Sequence, residues 1–112
     1  LRAFVTGRNG TLENTLAYWR AIAAEFHRVR PRLLLVVDVM DGGMPPPEQM
    51  LAFIQAMEGE NLQGTRIAYV EDKYEVLPKA ELVGIFALER GYEVQVFNDE
   101  ECAERWLRYG NG

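Results

Sequence analysis

The chain contains no serine, a single histidine and a single cysteine. Without serine there can be no serine nucleophile, and Cys102 alone excludes an intrachain disulfide. No Cys/His cluster exists to hold zinc. His27 falls near the end of a helical segment and is distant in order from Cys102, which argues against a Cys–His couple. Long apolar runs are also missing: LLLVVDVM is short and interrupted by Asp38, so no stable membrane insertion is expected. The start LRAFVTG has no initiator methionine and no signal-peptide core, and residue 1 reads as a trimmed end. A reducing, cytoplasmic setting is the expectation. Positive charge is scarce, with a formal net charge of -5, which disfavours nucleic acid as a partner because that affinity comes from Lys and Arg neutralising phosphates.

What is present describes one folded domain over residues 1–112, with 48% hydrophobic and 26% charged residues. The charge is uneven. Residues 1–32 carry six arginines against Glu13 and Glu25, a balance of +4, and the remainder a balance of -9. The basic stretch HRVRPR suits a helix end, where cations favour the C-terminal dipole; a site for an anionic partner is the alternative.

RAFVT (2–6) reads as a short strand. Thr11 then caps a helix with Leu12, Leu16, Trp19, Ile22, Ala23 and Phe26 at helical spacing to about residue 28. Pro31 closes it. Leu33 to Val37 form a continuous apolar run fit for a buried strand. Beyond the prolines, Met50, Leu51, Phe53, Ile54 and Met57 line a second helix, whose first turn tolerates proline. RIAYV (66–70) is another buried strand, followed by a helix from about Lys79 to Arg90 that exits at Gly91. YEVQVF alternates like a half-covered strand near a sheet edge. Asn98 is the expected cap of a last helix, with Glu101 in a capping box and Ala103, Trp106, Leu107 and Cys102 on its packing face. Tyr18, Tyr74, Tyr92 and Tyr109 read as partly exposed. Strand and helix thus alternate four times. The expected fold is α/β, a mostly parallel four-stranded sheet with four helices in alternating βα order, because parallel pairing needs crossovers.

In such a sheet the loops beyond the carboxyl strand ends are the preferred ligand surface. There the sequence places Gly7 and Arg8, Asp38 and Asp41, and Asp72 and Lys73. VTGRNGT has neither GxGxxG nor GxxxxGK[ST] spacing, so a tight turn with an N-cap is the simpler reading and an anion site tested by Arg8 the alternative. Asp38, Asp41 and Asp72 are candidates for an acidic pocket around a hard cation, or for a receiver-like acceptor with Lys73 beside the phosphoryl group. The plainer reading is solvated loop charges and turn formers. No cofactor is implied.

With these elements in order, RPRLLLVVDVM, LQGTRIAYVEDKYEVLPKAEL and GYEVQVFNDEECAERWLR together resemble the SpoIIAA-like branch of the STAS fold, relatives of anti-sigma factor antagonists. The resemblance implies an additional strand before RAFVT, which this chain lacks; trimming, or supply by another chain, would explain that, and homodimerisation follows as an expectation. It also implies a phosphorylatable hydroxyl in the loop after the LLLVVDV strand. The matching positions are Asp41, Gly42, Gly43 and Met44, and none bears a hydroxyl. The expected function is therefore a noncatalytic interaction or regulatory module that meets an unidentified protein partner through Asp41, Gly42, Gly43, Met44, Pro45, Glu48 and Gln49. A small ligand- or metal-binding α/β domain or enzyme, using Gly7, Arg8, Asp38, Asp41, Asp72 and Lys73, is the alternative.

Overall fold

Four strands alternate with four helices in the computed structural model, which describes residues 1–8, 11–42, 45–62 and 64–110. The order is β1 (Arg2–Val5), α1 (Leu12–Val29), β2 (Leu33–Asp38), α2 (Pro47–Met57), β3 (Arg66–Glu71), α3 (Leu77–Glu89), β4 (Glu93–Phe97) and α4 (Glu100–Tyr109), with a 3-10 turn at Glu58–Glu60. The strands lie side by side as β1-β2-β3-β4, each pair parallel. The α/β class and the alternation match the expectation.

Stepping across a sheet in one direction with crossovers of one hand places the connecting helices on one face. Alternation along the strands shows which face that is. Leu34 and Val36 of β2, with Ile67 and Tyr69 of β3, pack with Trp19, Ile22 and Phe26 of α1, Met50, Phe53, Ile54 and Met57 of α2, and Ala80 of α3. The intervening residues Leu35, Val37, Ala68 and Val70 pack on the opposite face with Ala103 and Leu107 of α4. The two central strands are thus buried on both faces, which is why they read as continuous apolar runs. A fully buried aliphatic side chain such as Leu34 contributes about 1.5–3 kcal/mol. At the edge, Phe4 of β1 is 58% exposed.

Local signals explain the boundaries. The Thr11 hydroxyl accepts from the Asn14 amide at 3.1 Å, and α1 ends at Arg30 in the left-handed region, with φ 55°, as the following proline disfavours continuing the helix. Four details differ from the sequence expectations. The cap of α4 is Asp99 rather than Asn98, its carboxylate accepting from the Glu101 amide at 2.8 Å. Helix α3 begins at Leu77, two residues before Lys79. Cys102 is exposed, its sulfur within 3.7 Å of Asp99 Oδ2, rather than on the packing face. Tyr92 is buried.

Candidate functional site

The carboxyl ends of β2 and β3 are adjacent in the sheet, and their register sets Asp38 opposite Glu71. Alternation from Leu34 and Val36, and from Ile67 and Tyr69, directs both carboxylates to the face covered by α1. Asp38 is 4% exposed and Glu71 2%. Neither is a solvated loop charge, which corrects the expectation for Asp38. A buried carboxylate needs donors, and those of Asp38 come from two directions. The Tyr69 hydroxyl donates to Oδ2, and the Met40 amide donates to Oδ1 at 2.9 Å. Tyr18 of α1 stands behind, its hydroxyl 3.5 Å from that of Tyr69. Since the Tyr69 proton is given to Asp38, Tyr18 is the donor in that longer contact. Desolvation by burial pushes both phenols well above their ordinary pKa, and the Asp38 charge adds to it, so they remain protonated donors.

Glu71 accepts from the Lys73 amide at 3.1 Å. Burial raises its pKa, the Lys73 amide pulls the other way, and the neighbouring charge of Asp38 raises it further. The Lys73 ammonium turns inward and donates to the Met40 carbonyl. Met40 is thus gripped at both backbone groups, its amide by Asp38 and its carbonyl by Lys73. One strand over, the path continues as a ladder: the Val39 amide donates to the Val5 carbonyl at 2.9 Å and the Asp41 amide to the Gly7 carbonyl at 2.8 Å, with Arg8 and Asp41 bridged in parallel. Gly7 supplies the φ of 115° that this turn requires. The Asn14 side chain anchors the Arg8 carbonyl at 3.2 Å.

The arrangement sorts the sequence candidates into two sets. Asp38 and Lys73 are committed inward to the Met40 backbone. Gly7, Arg8, Asp41, Gly42, Glu48, Gln49 and Asp72 are exposed. Pro45 is buried, so it supports the loop rather than presenting itself, contrary to the expectation. Gly43 and Met44 lie outside the described residues. Among the described residues no group of three His, Cys, Asp or Glu side chains comes together to hold a metal ion. Sequence reasoning assigned no site role to Tyr18 and Tyr69, whose hydroxyls complete the network around Asp38, or to Tyr74, which is exposed as expected, 81%, in the loop after β3. Tyr69 carried one signal: a tyrosine inside an otherwise aliphatic strand brings a hydroxyl that must find a partner. Comparison with protein-family models, with curated proteins and with solved structures gave no significant match to this chain.

Proposed function

We propose that the chain is a noncatalytic protein-interaction or regulatory module of the STAS/SpoIIAA-like kind, presenting the loops after β2 and β3 as a preorganised contact surface. The observation that carries this reading is the double hold on Met40 by Asp38 and Lys73. The acid and the cation that a receiver-like or phosphate-handling site would need are engaged with backbone, and what they accomplish there is to hold Met40 at the start of the loop. A surface held before binding loses less conformational freedom on association. Asp41, Glu48 and Asp72 give this end an acidic rim, and Tyr74 is an exposed aromatic of the type that anchors interfaces. A partner with basic groups around an aromatic-accepting pocket fits that chemistry.

The test is photocrosslinking in the native cell, from a photoreactive residue substituted at Gln49. A discrete protein adduct is expected, reduced at least about ten-fold by Tyr74→Ala combined with Asp41→Lys, as loss of a central anchor implies. Absence of an adduct, or one indifferent to both substitutions, counts against the proposal.

A further inference from the structure

Helix α4 sits over β2 and β3, with Ala103 and Leu107 packed on Leu35, Val37, Ala68 and Val70, while Gln95 of the edge strand β4 stays exposed on the same face. Alternation along β4 turns Gln95 and Phe97 to that face, in register with Ala68 and Val70. A groove of about 400 Å³ follows between strand and helix, within the ~300–1,000 Å³ typical of small-molecule sites. Its other wall is one stripe of α4, in which Cys102, Arg105, Trp106 and Tyr109 recur at i, i+3, i+4 and i+7.

Two features of the lining point to an occupant. The first is aromatic surface: the Phe97 and Trp106 rings lie 5.8 Å apart, and Tyr109 is 74% exposed beside them. Such surface is matched by another flat ring, stacked or edge-on. The second is charge. None of the described lining residues is acidic, in a chain of net charge -5, and Arg105 is the one cation among them. Its guanidinium makes no ion pair or hydrogen bond among the described residues, although Glu101 stands one turn earlier. A planar fork of this kind takes a carboxylate through two parallel hydrogen bonds, and the Gln95 amide adds a donor on the strand side.

We propose that this groove binds a small planar aromatic carboxylate, its ring against Trp106 and Tyr109 and its carboxylate on Arg105. The inference stands independently of the contact surface at the strand ends, which uses none of these residues.

Indole-3-acetate and its neutral amide are the probes. Cys102, the chain's single cysteine, lines the groove, so a bound molecule shields its thiol. Alkylation of the full chain by iodoacetamide is timed by mass spectrometry, each variant against its own ligand-free rate. Native protein is expected to show saturable slowing with indole-3-acetate, and an affinity about ten-fold weaker for the amide, which lacks the charge. Arg105→Gln should bring indole-3-acetate down to the affinity of the amide and leave the amide unchanged; Tyr109→Ala should weaken both. Arg105 and Tyr109 are exposed, so both variants should keep the native thermal midpoint. Slowing that does not saturate, equal affinity of native protein for the two probes, or an Arg105→Gln variant that binds indole-3-acetate as the native chain does would overturn the assignment.

Discussion

Asp38 satisfies two buried donors at once, the Tyr69 hydroxyl and the Met40 amide, so truncating it orphans both. Each orphaned group costs about 1–3 kcal/mol, and Asp38→Ala is expected to lower the unfolding free energy by roughly 2–6 kcal/mol in urea denaturation. Asp41→Ala, on the exposed side of the same loop, should stay within about 0.5 kcal/mol. Equal effects would mean that the Asp38 network carries no weight. Glu71 offers a pH test. Its folded pKa is raised by burial above the ordinary 4.5, so the folded state binds the proton more tightly than the unfolded chain. Stability then falls as pH climbs from about 4.5 through the folded pKa. Glu71→Gln keeps an acceptor for the Lys73 amide and removes the charge. Its thermal midpoint should coincide with the native one below that window and exceed it above; a midpoint gap independent of pH would contradict the assignment. These roles were illegible in sequence for a physical reason. An aspartate followed by Val-Met-Asp-Gly-Gly reads as the start of a loop, and nothing local indicates that a tyrosine 31 residues later closes on it.

At the scale of elements, periodicity located all eight segments, because apolar spacing of 3.6 or a short continuous run is itself the cause of burial. Boundaries were legible where a cap or a proline acts alone, as at Thr11 and Pro31, and shifted where two capping residues stand in tandem, as at Asn98 and Asp99. Cys102 was misplaced because helical spacing alone does not reveal how wide a stripe is buried. Among the described residues one helix, α4, packs on the second sheet face, and it buries Ala103 and Leu107 while leaving its flank open. That helix is tied down by Arg66. Its guanidinium donates to the Trp106 and Leu107 carbonyls at 3.2 and 3.3 Å, pairs with Glu93 at 3.0 Å, and lies 5.2 Å from the Trp106 ring. Cations at a helix C-terminus are favourable, and a planar fork serves several acceptors together. Arg66→Ala is therefore expected to cost about 1–3 kcal/mol and to speed amide exchange selectively in α4. Uniform acceleration across the chain, or none, would show that the helix docks without it.

For the whole molecule, the parallel sheet was legible because four βα repeats leave little topological choice, whereas the site depends on register, which sets Asp38 opposite Glu71, and register is a property of pairs of strands. The described candidate residues follow the carboxyl ends of the strands, and the division into inward-facing Asp38 and Lys73 and outward-facing Asp41, Glu48 and Gln49 emerges only from the fold. Met40 is held from beneath by Asp38 and Lys73, while Asp41, Glu48 and Gln49 face outward. The most direct test of the proposed function is the hydrogen exchange rate of the Met40 amide, which donates to a buried carboxylate rather than to water. If Met40 is held as described, its amide exchanges nearly as slowly as those of Val36 and Val70 in the central strands and accelerates by about ten-fold or more in Lys73→Met. Exchange at the rate of an open loop in the native chain would contradict the preorganised surface and the function proposed from it.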